Sequence, residues 1–364
     1  MLILRLLLTS LFVFTTSFQA GPFQNQNQSR GKNGNPSSSN PQPTLNPHPL
    51  PTPVSTTERA PITINDGPIN LGVDLVVLDA LVLHQKTGRI EGALKATDFV
   101  LQEDGVQQQI THFSQDTLPL SVIFLVDRGG CLDPFSEKVR QATQEALIRL
   151  KPKDEAALMA FADDTALVTD FTTRRERIAQ GLDRLPPHNE SAAHCFSEAL
   201  YRAADYMRQA GNPDGRRVII VLTAITTHWD CGGHSGEQAR QALLESGAVV
   251  CAVIPKTPGQ RLESGIMRAA AGLGGFGGAR VFSLNKIVEE TGGEMMTDKP
   301  AVLDQTFHDL IDHLRTRYSL GFVSSNTKRD GTFRKLKLDL AQGAQSAADK
   351  LVVKTKKGYY SGRK

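Results

Sequence analysis

The sequence predicts an α/β fold, namely a doubly wound, mostly parallel sheet with helices on both faces. The prediction rests first on three apolar segments, Leu120–Val126, Arg217–Thr223 and Ala248–Ile254. Strands that are apolar on both faces are typical of the centre of a parallel sheet, because helices cover them on both sides. The second observation is that helix-like stretches separate these strands. Parallel neighbours need such crossover connections.

Amphipathic spacing predicts the helices that cover this sheet. In Ser136–Leu150, for example, Val139, Ala142 and Ala146 recur on one face. The helix candidates are, in order, Ser136–Leu150, Arg174–Leu185, Cys195–Gln209, Glu237–Ser246, Leu284–Thr291 and Ala301–Thr316. Together with the strands they place an α/β domain at residues 118–316.

The segments on either side of this domain, residues 67–117 and 317–361, are predicted to form one small β domain. Apolar residues alternate along part of Ile69–Leu83, and Glu103-Asp104-Gly105 indicates a hairpin turn. The second segment has strand patterns on both sides of a turn at Asp330-Gly331. Neither segment is long enough to bury a core by itself, so we expect the two to pair with each other.

Residues 1–20 have the pattern of a secretory signal peptide. Arg5 precedes the apolar run Leu6–Phe14, and small residues follow up to Ala20. The run is short for a membrane span and no later segment approaches that length, so an uncleaved anchor helix is the lesser alternative. Residues 21–66, rich in Asn, Gln, Pro and Ser, are predicted to be a disordered linker. We therefore expect an exported protein in the periplasm, the cell envelope or the medium, with no membrane span after cleavage.

Composition and motifs argue against several classes of function. A formal net charge of +3 over 364 residues, without interleaved aromatic and basic residues, does not suggest a nucleic-acid partner. The glycine-rich stretch Gly272–Gly278 does not directly follow a strand and lacks the lysine of a phosphate-binding loop. A Gly-x-Ser-x-Gly nucleophile elbow is absent from the sequence. We therefore expect a protein that is not an enzyme.

Three stretches resemble the von Willebrand factor type A domain: Leu118–Asp127, Ser197–Asp205 and Arg217–Thr223. The flanks resemble those of the von Willebrand factor A-related proteins found in quantity in acidobacteria, in the stretches Asp98–Gly105, Gln109–Ser114, Glu290–Gly293, Tyr318–Phe322, Arg329–Lys335 and Lys357–Tyr360. The resemblance implies the fold predicted above. It also implies a protein-binding function for the loops at the carboxyl ends of the strands.

The resemblance further implies a divalent-cation site, of which this sequence keeps one position. In the family, one loop supplies Asp-x-Ser-x-Ser, a second a threonine and a third an aspartate, and these oxygen ligands suit Mg²⁺. Asp127 holds the first position, whereas Gly129, Cys131, His194 and Ala224 hold the other four. A glycine, a thiol, an imidazole and a methyl group are poor Mg²⁺ ligands. We therefore expect a degenerate site without Mg²⁺, in which Asp127 caps the adjacent loop or helix through backbone N–H groups.

Cysteines and histidines have appeared on these same loops, at Cys131, His194, Cys195, Cys231 and His234. A disulfide, free thiols and a zinc site are the three alternatives for such a cluster in an exported protein. Because the family's cation draws the loops together, the resemblance favours a disulfide in its place. We predict that Cys131 is bonded to Cys195 or to Cys231.

The function that these observations favour is an exported, non-enzymatic, adhesion-like module that binds a protein partner without a resident cofactor. The sequence does not name the partner or the oligomeric state. The alternative is a zinc- or thiol-dependent site with a redox or hydrolytic function, built from Cys131, His194, Cys195 and Cys231.

Overall fold

The computed structural model describes residues 75–188, 192–229, 231–256, 281–344 and 350–362. The strands within these ranges are β1 (Leu75–His84), β2 (Phe99–Glu103), β3 (Val106–Gln108), β4 (Ile110–Ser114), β5 (Leu120–Asp127), β6 (Glu155–Phe161), β7 (Thr165–Thr172), β8 (Arg216–Leu222), β9 (Thr227–Trp229), β10 (Val249–Pro255), β11 (Val281–Ser283), β12 (Met295–Asp298), β13 (Tyr318–Val323), β14 (Phe333–Leu340), β15 (Leu351–Thr355) and β16 (Gly358–Tyr360). The helices are α1 (Ser136–Arg149), α2 (Arg175–Leu182), α3 (Phe196–Tyr206), α4 (Gly236–Ser246), α5 (Leu284–Glu290) and α6 (Leu303–Arg315). The predicted signal peptide, the predicted linker and Gly272–Gly278 lie outside the described residues.

The central sheet has the strand order β12-β10-β8-β5-β6-β7. Its neighbours are parallel except for β6 and β7, which are antiparallel. β5 pairs with β6 on one side and β8 on the other, and all of its side chains are buried. A strand in this position has no face toward solvent, so it must be apolar throughout. The predicted mostly parallel sheet is confirmed.

Helices cover both faces of the sheet. Val122 and Phe124 of β5 pack in a core with α1, α2 and α6, whereas Ile123 and Leu125 pack in a second core with α3, α4 and α5. The predicted helices are all present, although α2 ends at Leu182 and not at Leu185. In the described part of the chain, none of these helices is both long and apolar enough to cross a bilayer.

Strands from the two flanking segments pair with each other. One antiparallel sheet has the order β15-β1-β13-β4 and another has the order β16-β14-β2-β3. In the first sheet, strands from after the α/β domain alternate with strands from before it, and in the second, β14 from after the domain pairs with β2 from before it. The two sheets share one core, in which Leu78 lies opposite Leu320 and Leu101 lies opposite Leu338. Because both segments supply residues to this core, the flanks depend on each other for burial.

A buried arginine connects the central sheet to the flanking β strands. Arg216 begins β8 and is 3% exposed. Its Nη2 donates to the carbonyl of Arg317 at 2.7 Å, and its Nε lies 3.3 Å from Oδ2 of Asp79 in β1. Planar guanidinium groups suit such multiple contacts, because their donors are held in a rigid fork.

Candidate functional site

The candidate site lies at the carboxyl end of the central sheet, where β5 ends at Asp127. Parallel strands end at the same edge, so the loops after β5 and β8 meet here. Asp127 is fully buried. Its Oδ1 accepts a hydrogen bond from the backbone N–H of Gly129 (2.9 Å), and its Oδ2 accepts one from the hydroxyl of Thr223 (2.7 Å). Burying a carboxylate is costly without such donors, and the first of these bonds is the loop cap expected from the sequence.

His194 lies directly on this carboxylate. Its Nδ1 is 2.8 Å from both Oδ1 and Oδ2 of Asp127, and its side chain is 11% exposed. An ionised carboxylate only accepts hydrogen bonds, so the tautomer that fits has its hydrogen on Nδ1. The imidazole also meets the ring of His228 edge to face, at a centroid distance of 5.1 Å.

Gly129 makes room for the imidazole. A Cβ built on Gly129 would lie 2.5 Å from Cε1 and 2.6 Å from Nδ1 of His194. Carbon atoms in contact are normally separated by about 3.5–4.0 Å, so a side chain at Gly129 and the observed His194 conformation exclude each other. The residues at these two positions therefore depend on each other sterically.

Cys131 carries a free thiol that completes the cluster. Its Sγ lies 3.3 Å from Oδ2 of Asp127 and 3.6 Å from Oγ1 of Thr223, and it accepts a hydrogen bond from the backbone N–H of Ala224 (3.4 Å). Burial, together with the negative charge of Asp127, raises the pKa of Cys131 well above its ordinary range. The thiol therefore stays protonated and donates to the carboxylate, and it is a weak nucleophile.

The disulfide of this region joins Cys195 to Cys231, so the prediction that Cys131 takes part in it is wrong. The Cα atoms of the bonded pair are 5.4 Å apart, within the range that a disulfide can span. Cys195 precedes α3 and Cys231 precedes α4, so the bond ties the second loop to the third. Cys131 is unavailable for a disulfide because its sulfur points into the carboxylate cluster.

His234 belongs to a separate group of side chains. Its Nδ1 lies 2.7 Å from Oε2 of Glu198, and the same oxygen accepts from the His234 backbone N–H at 2.9 Å. Its ring stacks on Tyr201 at a centroid distance of 3.4 Å. The structure thus divides the predicted cluster. Cys131 and His194 meet Asp127, whereas Cys195 and Cys231 bond to each other and His234 pairs with Glu198.

Sequence reasoning missed two residues of this region, Thr223 and Glu198. The sequence prediction assigns Thr223 only to an apolar strand, whereas its hydroxyl donates a hydrogen bond to the carboxylate at the end of β5. Glu198 lies in the first turn of α3, where a carboxylate is favoured by the helix dipole. The signal for Thr223 was its position, since polar residues at strand ends are the ones that reach a site at this edge.

Comparison with known families identifies the fold. Residues 122–224 match the family model of the von Willebrand factor type A domain. This chain therefore contains a von Willebrand factor type A domain. The matched range includes Asp127, Gly129, Cys131, His194 and Ala224, so the candidate site lies within the domain. The search of curated proteins gave no match.

The similarity of this chain to solved structures is low. A von Willebrand factor type A protein from Catenulispora acidiphila is 11% identical, with a TM-score of 0.41, over 73% of this chain and 75% of its own. An aerotolerance-related membrane protein from Bacteroides fragilis is 16% identical, with a TM-score of 0.38, over 54% and 98% of the two chains. The similarity to proximal thread matrix protein 1 from the mussel byssus is 16% identity with a TM-score of 0.40, and it covers 58% of this chain but 49% of that protein.

The von Willebrand factor A domain of this chain offers a donor set that does not fit Mg²⁺. The ligand atoms of Asp127, Cys131 and His194 lie within 4.8 Å of one another. Mg²⁺ requires oxygen ligands in near-octahedral geometry, whereas this group supplies one carboxylate, one thiol and one imidazole. Both carboxylate oxygens also already accept hydrogen bonds from protein donors.

Proposed function

We propose that this protein is an exported, non-enzymatic protein-interaction module whose von Willebrand factor A domain works without a bound divalent cation. The observation that carries the proposal is the position of His194, whose imidazole nitrogen contacts both oxygens of Asp127 at 2.8 Å. A protein donor thus fills the coordination space of the one carboxylate that the family's cation site retains here.

Bonds within the chain hold the three loops together. His194 on the second loop binds Asp127 on the first, and Thr223 at the start of the third loop binds the same carboxylate. The Cys195–Cys231 disulfide adds a covalent tie between the second and third loops. The interaction surface at this end of the sheet would therefore be ordered before any partner arrives. Such preorganisation favours binding because less conformational entropy is lost.

The chemistry of the cluster supports binding rather than catalysis. The carboxylate of Asp127 is buried and saturated with hydrogen bonds, so it is poorly placed to act as a base. The thiol of Cys131 stays protonated, because burial raises its pKa. A nucleophile of this kind would need a lowered pKa or an adjacent base that is free to accept its proton.

Export is supported by two independent features. Residues 1–20 have the composition of a signal peptide, and the structure contains the Cys195–Cys231 disulfide. Disulfides persist in oxidising compartments and are rare in a reducing cytosol. We assign the protein to the periplasm, the cell envelope or the medium.

Thermal unfolding with and without divalent cations tests the cation-independent proposal. A ligand that binds only the folded state raises its stability by RT ln(1 + [L]/Kd), so millimolar Mg²⁺ should leave the melting temperature of the native protein unchanged. The matched control is the fourfold variant Gly129→Ser, Cys131→Ser, His194→Thr and Ala224→Asp, which restores oxygen donors at each lost position. Mg²⁺ should raise the melting temperature of this fourfold variant, and EDTA should reverse the rise. A reproducible, EDTA-reversible rise in the native protein would contradict the proposal.

A capture experiment tests whether this end of the sheet binds the partner. The full chain, immobilised and incubated with an envelope fraction, should retain the same proteins with and without EDTA. Thr226→Glu places a negative charge on the third loop, at the carboxyl end of the sheet, where Thr226 is half-buried. Lys153→Glu is the control: it introduces the same residue on an exposed loop before β6, at the opposite end of the sheet. We expect the first variant alone to lose the captured protein. Equal capture by both variants would exclude this surface.

A soft-metal site is the second candidate, because the donors of Asp127, Cys131 and His194 are close enough to share an ion. A mixed oxygen, sulfur and nitrogen set suits Zn²⁺ better than Mg²⁺. Cys195 and Cys231 cannot contribute thiolate ligands to this metal site, because their sulfurs are bonded to each other. Elemental analysis of purified protein decides between the candidates. One equivalent of zinc that is lost in Cys131→Ser would favour this site, whereas a metal-free protein would favour the first proposal.

A further inference from the structure

A cavity of about 350 Å³ lies between the central sheet and the helices α1 and α2, and we call it the α1–α2 cavity. Its volume is within the range of about 300–1,000 Å³ that is typical of ligand sites. Most of the residues that line it are apolar, namely Val126, Leu132, Val139, Leu182, Leu185 and Leu222. Leu185 is half-buried and the other five are buried. An aliphatic group that enters is thus removed from water and gains contacts with other aliphatic groups.

The α1–α2 cavity is separate from the buried carboxylate of Asp127 and from the thiol and hydroxyl that contact it. Val126, Leu132 and Leu222 are direct chain neighbours of the residues that supply these three groups. None of the three groups, however, is among the side chains that line the cavity. The inference drawn from this cavity therefore does not rest on the proposed function of the loop surface.

The charged side chains that line the cavity sum to zero. Besides the hydroxyl of Ser136, which donates to the backbone carbonyl of Asp133 (3.1 Å), the polar lining consists of two cations and two anions. They are Arg128, Arg140, Glu137 and Asp183. A site with balanced charge does not select a simple anion or a simple cation, so the partners of each group decide which charge is available to a ligand.

Arg140 and Glu137 neutralise each other. Nε and Nη2 of Arg140 donate to the two carboxylate oxygens of Glu137, at 2.9 Å and 2.7 Å. Two parallel hydrogen bonds of this kind are the strongest contact that a guanidinium makes with a carboxylate. Asp183 has a weaker contact, since its Oδ1 lies 3.5 Å from Nη1 of Arg140, and its side chain is 61% exposed. The carboxylate of Asp183 can therefore still accept hydrogen bonds from a cation.

Arg128 is the cation that a ligand can reach. It is half-buried on the loop after β5, and its Nε donates to the carbonyl of Pro186 at 2.8 Å. Among the residues that the structure describes, no carboxylate lies within ion-pair distance of this guanidinium. The backbone contact uses one of its five N–H donors, and the two terminal nitrogens match the spacing of a carboxylate.

We propose that the α1–α2 cavity binds a free apolar amino acid of about the size of leucine, in its zwitterionic form. The aliphatic side chain packs among the six apolar residues, the α-carboxylate pairs with Arg128, and the α-ammonium group pairs with Asp183. This ligand has zero net charge, as the cavity has, and it supplies one group for each charge that is available. A fatty acid would leave Asp183 unmatched, and an alkylamine would leave Arg128 unmatched.

Calorimetric titration of the full chain with leucine and three analogues tests the inference. Glycine lacks the aliphatic side chain, N-acetylleucine lacks the ammonium group, and leucinamide lacks the carboxylate. Leucine should bind about tenfold or more tightly than each analogue, because every analogue loses one charge-assisted hydrogen-bonded contact or the apolar contact. No saturable binding at millimolar leucine would overturn the proposal. Equal affinity for leucine and glycine, or for leucine and N-acetylleucine, would also overturn it.

Two variants assign the charged groups of the ligand to their partners. Arg128→Gln should weaken leucine roughly fivefold or more and leave the affinity for leucinamide unchanged, because leucinamide has no carboxylate to lose. Asp183→Asn should weaken leucine by a similar factor and leave the affinity for N-acetylleucine unchanged. Arg177→Gln and Glu176→Gln, at exposed positions of α2 outside the cavity, are the matched controls and should bind like the native protein.

The crossed pattern separates a binding role from a structural one. If Arg128→Gln weakened leucine and leucinamide equally, Arg128 would support the shape of the cavity and not the carboxylate, and the proposal would be wrong. Unchanged leucine binding by both cavity variants would likewise contradict it. Thr226→Glu should bind leucine normally, so failure of this inference is distinguishable from failure of the loop surface.

Discussion

At Gly129, the absence of a side chain decides what can fill the site. The imidazole of His194 occupies space that any Cβ at this position would enter, at 2.5 Å from Cε1. A side chain at position 129 and the observed position of the His194 imidazole are therefore mutually exclusive. The same reasoning explains why Cys131 and His194 can share one carboxylate. Each donates to Asp127 from a different direction, together with Thr223.

Gly129 and His194 should be energetically coupled. We expect Gly129→Ser alone to lower the free energy of unfolding by roughly 1–3 kcal/mol, because the new side chain overlaps the imidazole. In the Gly129→Ser, His194→Thr double variant the overlap is gone. The double variant should therefore lose at least about 1 kcal/mol less than the sum of the single losses. Urea denaturation of the four proteins measures this, and strictly additive losses would show that the two residues do not compete for space.

At the scale of elements, α3 and α4 are joined at their beginnings by two kinds of contact. The disulfide links the residue before α3 to the loop before α4, and Glu198 in the first turn of α3 accepts two hydrogen bonds from His234. Both contacts bridge the second and third loops, which carry no other covalent connection in the described chain. Contacts between the N-terminal ends of α3 and α4 thus order this end of the sheet without a ligand.

Removal of the disulfide should be costly. The bonded cysteines are 36 residues apart, and the chain-entropy account gives about 3–4 kcal/mol for a loop of this length. The Cys195→Ser, Cys231→Ser double variant should lose roughly that much unfolding free energy. Dithiothreitol should lower the stability of the native protein toward the same value and leave the variant unchanged. A native protein that is insensitive to dithiothreitol would show that the bond contributes little.

Acid should weaken the contact between Glu198 and His234. Burial works to raise the pKa of Glu198, but the hydrogen bonds from His234 and Arg202 outweigh it and lower the pKa to about 2, from an ordinary value of 4.5. A lowered folded-state pKa adds stability that is present above the unfolded-state pKa and lost as the pH falls through the folded-state value. The stability difference between the native protein and Glu198→Gln should therefore shrink from about pH 4.5 toward pH 2. Glu145→Gln, at an exposed position of α1, is the control. If its stability difference from the native protein changed as steeply with pH, the effect would come from the net charge of the protein and not from the Glu198–His234 contact.

At the scale of the whole molecule, the flanking strands form a core that neither flank contains alone. β2, from before the α/β domain, lies between β3 and β14, and β14 comes from after the domain. Leu336 of β14 is 1% exposed and is paired in register with Glu103 of β2. Arg216 then connects this part of the molecule to β8. The parts of the chain before and after the α/β domain are therefore stabilised together.

A single truncation in β14 should loosen strands more than 200 residues earlier. Leu336→Ala should lower the free energy of unfolding by about 2–5 kcal/mol, the usual range for a buried leucine. Hydrogen exchange should rise most in β2 and β3, whereas amides of β5 should change less. Lys337→Ala, the adjacent and exposed residue of the same strand, should leave exchange unchanged. Unchanged exchange in β2 after Leu336→Ala would contradict a shared core.

The fold could be predicted from the sequence because its signals are local. Val122–Val126 and Val218–Leu222 are apolar without interruption, and such runs predict buried parallel strands whatever their exact neighbours. The proximity of Asp127 to the residues after β8 could also be predicted from the sequence, because parallel strands end at one edge of the sheet. The residue types at Gly129, Cys131, His194 and Ala224, on which the expectation of a degenerate cation site rests, could be read from the sequence directly.

Only the tertiary structure decided which of these side chains touch. Cys131, Cys195 and Cys231 all lie at the same end of the sheet, but a disulfide depends on Cα separations and Cβ directions that long-range packing sets. Cys131 faces Asp127, so the bond forms between the other two. The imidazole beside Gly129 is likewise a three-dimensional fit between residues 65 positions apart in the chain, since His194 and Gly129 meet only when the loops after β5 and before α3 are in place. Hydrophobic periodicity specifies which face of an element is buried, whereas contacts between loops depend on distances that no local pattern encodes.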